Sequence, residues 1–479
     1  MINTPLHYHL IGIGGCGMAG LAQMLKQKGF IVSGSDKSDS LVLDKLRALN
    51  IKIFIGHEAC QIQGANKIII STAINSNNPE ILEAQRLAIP IIHRAQGLAD
   101  LSHDKKLVLI LGSHGKTTTT GFLISMLRAG NFKPSYAIGA TYYETGLNAY
   151  LDTGESFIIE GDESDHSFRF FSPEIIILNN IDHDHLETYG HDLENLKSAY
   201  LDFIKQSLIK HPNLLVIFNA EDPHCVDLIL TIKNWASQPR IKTYGGARPD
   251  AELSDIFIKN LSTEFKIKVS NHTYPFVLNM PGKHNAQNAA GAVLAGFELG
   301  LNLIQAQEGL KNYQGASRRC EVHGEFVLEN KKFLLIEDYG HHPVEIKVTL
   351  EALRLAYPER RLVLVFQPHR YTRTRDLFED FAKILGRPDV LVLLEIYAAS
   401  EKKIENINSE NLLEKIRAFK NNKKFGVLTS LNSCLETLRE IIKPNDLVLI
   451  QGAGDIHGCV GMISRLGRIQ DSPLHLTLK

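Results

Sequence analysis

The segment KLVLILGSHGKTTTT, residues Lys106–Thr120, decides the fold of this chain. Its apolar first half predicts a buried strand, and the residues from about Gly115 to Arg128 predict a helix. The turn between them carries the GK(S/T) core of a phosphate-binding loop, although Ile110 stands where the standard motif has its first glycine. A strand, a glycine-rich turn and a helix in this order are typical of α/β domains that bind phosphate groups.

The residues of this loop suit a nucleotide. Backbone NH groups at the turn can surround phosphate oxygens, Lys116 can neutralise charge on the β- and γ-phosphates, and the Thr117 hydroxyl can ligate Mg²⁺. A turn with only a structural role does not explain a lysine placed between a glycine and four threonines. We therefore predict that the loop binds nucleotide phosphates.

A second glycine-rich turn follows an N-terminal strand, HYHLIGI, residues His7–Ile13. Its glycines form GxGxxG, a helix is predicted through Leu25, and Asp36 ends the next strand. A bare GxGxxG is compatible with a turn that binds nothing, with a nicotinamide or flavin site, and with a UDP-sugar, which carries the same diphosphate group. In this context we predict a diphosphate ligand.

A strand followed by a turn and a helix is predicted a third time: FLLIEDYG, residues Phe333–Gly340, precedes a predicted helix over Pro343–Ala356. Short β-rich runs that alternate with helical ones favour α/β layers with parallel sheets. Polar stretches near residues 103 and 315 mark the boundaries between the three segments that begin with such a strand, turn and helix. The sequence therefore predicts three domains, 1–103, 104–314 and 315–479.

Composition excludes several classes of protein. The 479 residues are 44% hydrophobic and 22% charged, which excludes collagen-like, mucin-like and largely disordered chains. With 52 basic and 53 acidic residues the formal net charge is -1, so no bulk charge attracts nucleic acid or anionic membranes. The six cysteines form no CxxC pair, and no apolar run approaches the ~20 residues that span a bilayer. We expect reduced thiols, a cytoplasmic location, and no nucleic-acid or membrane partner.

Polar residues follow two further apolar strands. ESFIIEGDESD places Glu160 directly after one strand, and EIIILNNIDHDH places Asn180 and His185 after another. Because the carboxyl ends of parallel strands face the ligand crevice, carboxylates there are candidate Mg²⁺ ligands. The alternative is that these acidic runs are solvated loops, an interpretation that fits Glu160 least. His185 is the weaker candidate because magnesium prefers oxygen, and a zinc site would lack a third nitrogen or sulfur ligand nearby.

Taken together, these motifs resemble those of the Mur ligases, the ATP-dependent amino-acid ligases of peptidoglycan precursor synthesis. The resemblance covers essentially the full chain, and its last two motifs are most specific to the branch that adds L-alanine. The motifs are GIGGCGMAGLA, GSHGKTTTT, EGDESDHSF, NNIDHDHLETY, PGKHNAQNAAGA, GASRRCEVHGE, DYGHHPVEI and FQPHRYTRTRDLF.

The resemblance implies a fold and a reaction. The fold would be a three-domain α/β architecture: an N-terminal Rossmann-like UDP-binding domain, a central P-loop ATPase-like domain and a C-terminal Rossmann-like domain. The reaction would join L-alanine to the carboxylate of UDP-N-acetylmuramate through an acyl phosphate, with ATP and Mg²⁺, giving ADP and phosphate. We expect a monomer or a weak homodimer.

The resemblance also implies roles for individual residues. ATP would contact Gly112, Ser113, His114, Gly115, Lys116, Thr117, Thr118, His284, Asn285, Asn288 and Arg318. The UDP-sugar would contact Gly12, Gly14, Gly15, Gly17, Asp36 and Asn180. The amino acid would contact Tyr339, His341, Arg370 and Arg373, and the metal Thr117, Glu160 and His185. The catalytic group would be Lys116, Glu160, His185, His341, Arg370 and Arg373.

Some positions depart from the family pattern, and other functions stay open. Ser113, Gly161 and Glu337 replace the usual threonine, alanine and aspartate, and Tyr200 stands where several sibling ligases have a carbamylated lysine, so we predict no modified lysine. One alternative is the sibling ligase that attaches a recycled peptide to UDP-N-acetylmuramate. The other two alternatives are a nicotinamide-dependent oxidoreductase and a P-loop switch or binding protein without ligase chemistry.

Overall fold

Three β-sheets, interleaved with helices along the chain, organise the fold. The computed structural model describes residues 5–184 and 186–465. The described residues form two compact units. One contains residues up to 254 with 266–276 and 287–313, and the other contains 255–265, 277–286 and 314 onward. The predicted class of α/β layers is confirmed.

The first sheet has five parallel strands. Its elements are β1 His7–Ile11, α1 Cys16–Gln27, β2 Ile31–Asp36, α2 Leu41–Ala48, β3 Lys52–Ile55, a 3-10 turn Ala59–Ile62, β4 Lys67–Ile70, α3 Pro79–Arg86, β5 Ile91–His93 and α4 Arg94–Ser102. The strand order is β3-β2-β1-β4-β5. β1 ends at Ile11, two residues earlier than predicted, because Gly12 takes a φ of 76°, outside the extended region.

The second sheet contains the strand that precedes the phosphate-binding loop. Its elements are β6 Lys106–Leu111, α5 Lys116–Ala129, β7 Ser135–Tyr142, β8 Leu147–Tyr150, β9 Ser156–Glu160, a 3-10 turn Ser167–Phe170, β10 Ile175–Leu178, a 3-10 turn Leu186–Tyr189, α6 Leu193–Lys210, β11 Leu215–Asn219, α7 Pro223–Ile232 and β12 Arg240–Tyr244. The order β12-β11-β10-β6-β9-β7-β8 is parallel except for the β7–β8 pair. β6 therefore lies inside the sheet, so the loop after it is at the carboxyl edge with the ends of β9 and β10.

Three strands and two helices follow. They are β13 Ala251–Lys259, β14 Ser262–Val269, β15 His272–Leu278, α8 Lys283–Glu298 and α9 Leu303–Lys311. β13 pairs with β12 through Ala251 and Tyr244. α9 packs on α5, the helix of the phosphate-binding loop.

The third sheet is mixed. Its elements are β16 Glu321–Leu328, β17 Lys331–Asp338, α10 Pro343–Ala356, β18 Leu362–Phe366, α11 Tyr371–Asp376, α12 Phe378–Ile384, β19 Val390–Leu394, α13 Ser409–Lys420, β20 Val427–Thr429, α14 Cys434–Ile441, β21 Asp446–Gln451 and α15 His457–Ser464. The order is β16-β17-β21-β18-β19-β20, with only the edge pair β16–β17 antiparallel. The predicted helix over Pro343–Ala356 is confirmed as α10.

The apolar core explains why the first two sheets form one unit. Buried side chains of both sheets belong to a single continuous cluster. Gly20 of α1 lies so close to β8 that a Cβ added there would be 2.8 Å from the Cβ of Ala149. The third sheet has separate clusters on its two faces. Within residues 5–184 and 186–465, no helix has the length and apolar character needed to cross a membrane.

Candidate functional site

The loop between β6 and α5 is shaped by its two glycines. Gly112 has a φ of 126° and Gly115 a φ of 77°, conformations that residues with a Cβ rarely adopt. A Cβ at Gly115 would lie 2.7 Å from Asn288 Oδ1 and 3.2 Å from Asn179 Nδ2. The turn thus leads directly into α5, and the side chain of Asn288 packs against Gly115.

Lys116 is enclosed at the start of α5. Its Nζ donates to the carbonyl oxygen of Gly112 at 2.5 Å and to that of Ser113 at 3.3 Å, and it lies 2.7 Å from Glu163 Oε1. Burial alone would lower the pKa of Lys116, but the carboxylates of Glu163 and Glu160 raise it above its ordinary value. The ammonium group is therefore held charged at the mouth of the loop.

Thr117 and Glu160 meet at the carboxyl edge of the second sheet. Thr117 Oγ1 donates to Glu160 Oε1 at 3.0 Å, and Glu160 Oε2 accepts from the Gly139 NH at 2.7 Å. This confirms that Glu160 ends its strand and brings a hydroxyl and a carboxylate together. Oxygen donors of this kind suit Mg²⁺. His185, the third predicted ligand, lies outside the described residues.

Asn180 supports the phosphate-binding loop. Its Oδ1 accepts from the His114 NH at 2.8 Å, and its Nδ2 donates to the His114 carbonyl at 3.1 Å. The His114 imidazole in turn lies 2.9 Å from Asp182 Oδ2. Asn180 was predicted to face the UDP-sugar, and the bonds of its amide in the structure go to the nucleotide loop instead. A role toward the sugar stays a prediction.

The first glycine-rich turn is held by Asp36. The Gly14 NH donates to Asp36 Oδ2 at 2.8 Å. A Cβ at Gly14 would lie 2.9 Å from the same oxygen, so the carboxylate fits directly against the loop. At Gly17, a Cβ would lie 3.2 Å from Nη1 of Arg94. Asp36 and Arg94 thus flank the predicted diphosphate loop.

Sequence reasoning missed three contacts of the segment after β9 and one contact between β8 and the start of α1. Arg94 Nη2 donates to Asp162 Oδ2 at 2.9 Å, and His93 Nε2 lies 3.5 Å from Asp165 Oδ2. Glu163 pairs with Lys116, and Asn148 Nδ2 donates to the Cys16 carbonyl at 2.9 Å. The EGDESD pattern pointed to the acidic members of three of these pairs, but nothing in the sequence around Arg94 or Asn148 indicated their partners.

The second unit gathers aromatic and basic side chains at the ends of β17 and β18. The centre of the His341 imidazole lies 5.4 Å from that of the Tyr339 ring and 5.6 Å from that of the His369 ring, and His369 stacks on Tyr397 at 5.5 Å. Arg373 is 7% exposed, and its Nη1 lies 3.2 Å from His369 Nδ1. The structure thus brings His341, Tyr339 and Arg373 to one cluster.

Arg370 belongs to the same segment. It precedes α11 with a φ of 70°, a left-handed conformation for a residue with a side chain, and its NH donates to the Tyr397 carbonyl at 2.8 Å. Strain of this kind is common at binding sites and is maintained by surrounding contacts. Sequence reasoning therefore missed two residues of this cluster, His369 and Tyr397.

Arg318 also contacts Tyr339. Its guanidinium is 4.9 Å from the Tyr339 ring centre, and its Nε lies 3.0 Å from Glu337 Oε1. Glu337 also contacts the His323 imidazole at 3.0 Å. Glu337, which replaces the aspartate usual in the family, thus has a defined role in holding Arg318.

The remaining predicted nucleotide contacts come from α8. His284 and Asn285 lie in its first turn, and Asn288 follows one turn later. Asn285 Nδ2 donates to the Pro281 carbonyl at 2.8 Å, which fixes the start of the helix. Asn288 contacts the loop at Gly115, as described above.

Comparison with known proteins identifies the family. Residues 7–106 match the model described as "Mur ligase family, catalytic domain", residues 110–296 the "Mur ligase middle domain", and residues 318–454 the "Mur ligase, glutamate ligase domain". A UDP-N-acetylmuramate–L-alanine ligase of Burkholderia pseudomallei is 40% identical over 96% of this chain and 97% of its own length.

The chain belongs to the Mur ligase family.

Other Mur ligases agree in length and fold. A UDP-N-acetylmuramate–L-alanine ligase of Burkholderia cenocepacia is 42% identical over 94% of this chain and 96% of its own. The solved UDP-N-acetylmuramate–alanine ligase of Thermotoga maritima superposes with a TM-score of 0.79 at 27% identity, covering 96% of this chain and 98% of that one. A murein peptide ligase of Psychrobacter arcticus gives a TM-score of 0.69 at 20% identity, covering 98% and 100%, which shows the fold alone. The predicted three-domain Mur ligase architecture is confirmed, whereas the joins at 103 and 315 stay predictions.

Tyr200 is part of the core in this Mur ligase. It lies on α6, is 1% exposed, and stacks on Phe168 with ring centres 5.3 Å apart. A tyrosine here has no amine that could be carbamylated, and Thr117 and Glu160 are the described members of the predicted Mg²⁺ site.

Proposed function

We propose that this Mur ligase joins L-alanine to the carboxylate of UDP-N-acetylmuramate at the expense of ATP, in peptidoglycan precursor synthesis. The observation that carries the proposal is the enclosed Lys116 ammonium beside the Thr117–Glu160 pair. Such an arrangement suits phosphoryl transfer, in which positive charge must meet negative charge as it develops. The family membership supplies the substrate class, since the relatives at 40% and 42% identity are UDP-N-acetylmuramate–L-alanine ligases.

The first step is phosphoryl transfer from ATP to the substrate carboxylate. The carboxylate oxygen attacks the γ-phosphorus, the bond to the β-bridging oxygen breaks, and ADP leaves. Backbone NH groups of the loop and the Lys116 ammonium hold the phosphate oxygens during this transfer. Lys116 can move toward the γ-phosphate by exchanging its Glu163 contact for a phosphate contact.

Mg²⁺ fits the donor set of this site. The Thr117 hydroxyl and the Glu160 carboxylate, 3.0 Å apart, would hold it, with His185 as the further predicted ligand. When bound, Mg²⁺ would neutralise phosphate charge and polarise the phosphoryl group. The Gly139 NH, which donates to Glu160 Oε2, keeps the carboxylate turned toward Thr117.

In the second step the L-alanine amine attacks the carbonyl carbon of the acyl phosphate, the bond from that carbon to the phosphate oxygen breaks, and the nitrogen loses a proton as phosphate leaves. We assign amino-acid binding to Tyr339, His341, Arg370 and Arg373. Arg373 can form a planar two-bond contact with the alanine carboxylate, while His341 orients the amine. The contact of Arg373 with His369 and the ring contacts of His341 support this assignment, because they fix both side chains in one cluster.

We assign the diphosphate of UDP-N-acetylmuramate to the first glycine-rich turn, with Gly12, Gly14, Gly15 and Gly17. The Gly14–Asp36 hydrogen bond supports this assignment because it fixes the backbone of the turn. In the full chain, UDP-N-acetylmuramate should raise the melting temperature and NAD should not, because a ligand that binds only the native state stabilises it. Stabilisation by NAD alone would favour the oxidoreductase alternative.

One assay tests the proposed reaction. Phosphate release is measured with UDP-N-acetylmuramate, ATP and Mg²⁺, alone and with L-alanine, glycine, L-serine or the murein tripeptide. We expect release that depends on L-alanine. Dependence on the tripeptide alone would identify the recycling ligase, and amino-acid-independent hydrolysis would favour a P-loop switch protein. The cytoplasmic location and the monomeric or weakly dimeric state stay predictions, the latter open to light scattering.

A further inference from the structure

The acidic segment after β9 has partners on two sides. Glu160 and Glu163 contact Thr117 and Lys116 of the nucleotide loop. Asp162 and Asp165, between and after them, instead face the start of α4 in the first sheet's layer. The segment therefore joins the two glycine-rich loops of the chain.

Arg94, the first residue of α4, connects that helix to the acidic segment. Its Nη2 donates to Asp162 Oδ2 at 2.9 Å and lies 4.0 Å from Asp165 Oδ2. Ser164 also donates to Asp162 Oδ1, from its NH at 3.0 Å and its hydroxyl at 2.6 Å. Asp162 thus has both oxygens engaged, and its position is fixed by Arg94 on one side and by its own segment on the other.

The same guanidinium lies against the first glycine-rich turn. A Cβ added at Gly17 would lie 3.2 Å from Arg94 Nη1, a tight contact. The turn is also fixed to the second sheet by Asn148, which donates to the Cys16 carbonyl at 2.9 Å. Arg94 is therefore adjacent to the place where a diphosphate would bind and to the segment that holds Lys116.

We propose that Arg94 is a positioning residue that couples the two loops, so that a UDP-sugar on the first loop and ATP on the second strengthen each other's binding. The proposal rests on the proposed function. Asp162 is one residue from Glu163 and two from Glu160, so a displacement of Arg94 moves the carboxylates at Lys116 and Thr117. By linkage the strengthening is reciprocal.

Binding measurements on the full chain test this coupling. The dissociation constant of a non-hydrolysable ATP analogue is measured by calorimetry with and without saturating UDP-N-acetylmuramate. In the wild type we expect the UDP-sugar to tighten analogue binding roughly tenfold. We call the ratio of the two dissociation constants the coupling factor. In R94A and in D162N this factor should fall to near one, while the dissociation constant of the analogue alone stays within about threefold of the wild-type value. R94K, which keeps the charge but not the planar contact, should retain part of the factor.

Matched variants separate coupling from a structural salt bridge. R86A removes an exposed arginine paired with Glu83 on α3 and should leave the factor unchanged. If R94A does not fold, D162N removes the same pair from the other side. The double variant R94A/D162N should lose no more coupling than either single variant.

The outcomes also distinguish this inference from the proposed function. Binding of UDP-N-acetylmuramate with full coupling in R94A and D162N would overturn the inference alone. So would a wild-type chain that binds both ligands independently, or variants in which both affinities and the melting temperature fall together. Failure of the wild type to bind UDP-N-acetylmuramate would overturn both.

Discussion

Lys116 Nζ lies 2.7 Å from Glu163 Oε1, and the two side chains are only 14% and 2% exposed. The nucleotide loop therefore carries its own counter-ion before any phosphate arrives. Burial raises the pKa of Glu163 to about 7 even though Lys116 opposes the shift. The carboxyl can thus take up a proton when Lys116 turns to another partner, so the exchange does not leave a bare buried charge.

Lys116→Ala should abolish useful ligation and leave the chain folded. Loss of one charge-assisted contact in the transition state costs ~3–4 kcal/mol, or about a hundred- to thousand-fold in kcat. The fold should persist because Glu163 can be neutral without its partner. Steady-state phosphate release and circular dichroism check the two parts. Lys205→Ala, an exposed lysine on α6, is the control, and activity of K116A within a few-fold of wild type would contradict the phosphate role.

Gly115→Ala should damage the nucleotide loop more than its backbone strain alone explains. The φ of 77° costs an alanine about 1–2 kcal/mol, and the added methyl would press on Asn288 at 2.7 Å. We expect a raised KM for ATP and a lowered melting temperature. Gly146→Ala is the matched control, because Gly146 has a φ of 70° but nothing within 4 Å of a Cβ. Equal effects of the two variants on the KM for ATP would show that Asn288 is not part of the site.

Local patterns predicted the parts of the fold that depend on neighbouring residues. The strand–turn–helix at Lys106–Thr120 became β6 and α5, and α10 has the predicted bounds Pro343–Ala356. The same holds for Glu160 at the end of β9. These features follow from hydrophobic periodicity and from the few residues that tolerate a tight turn.

Contacts between distant residues could not be predicted in the same way. Arg94 and Asp162 are 68 positions apart, and Lys116 and Glu163 are 47 apart. Their meeting depends on the strand order of two sheets and on the close approach of α1 to β8, neither of which leaves a local pattern. The shared core of the first two sheets was missed for the same reason.

Arg373→Lys should weaken the use of L-alanine and spare ATP. Lysine keeps the charge but loses the planar fork, and one lost bond to a charged group costs ~1.5–3 kcal/mol, or roughly tenfold to hundredfold in the KM for L-alanine. The KM for ATP should stay within about twofold. Arg387→Lys, an exposed arginine paired with Glu351, is the control. Equal rises in both constants with a lower melting temperature would indicate that Arg373 only supports the fold.

Glu80→Gln should lower stability at neutral pH through a buried polar network in the first domain. Glu80 is fully buried, and its carboxylate lies 2.8 Å from His9 Nε2, 2.6 Å from Ser35 Oγ and 2.8 Å from His57 Nδ1. Burial alone would raise the pKa of Glu80, but these hydrogen bonds lower it below its ordinary value. Replacing the charged acceptor by an amide should cost about 1–3 kcal/mol of unfolding free energy at pH 7.

The pH dependence of that loss identifies the charge as its cause. A carboxyl whose folded pKa is lowered contributes its stability above the unfolded pKa of ~4.3 and loses it as the pH falls through the folded value. The stability difference between wild type and E80Q should therefore be full at pH 7 and shrink as the pH falls below about 4. Urea unfolding at both pH values measures it. Glu83→Gln on the same helix is the control: its side chain is partly exposed and pairs with Arg86, so it should change stability by less than ~1 kcal/mol. A difference that stays constant across this range would mean that the amide fails through its shape and not through the missing charge.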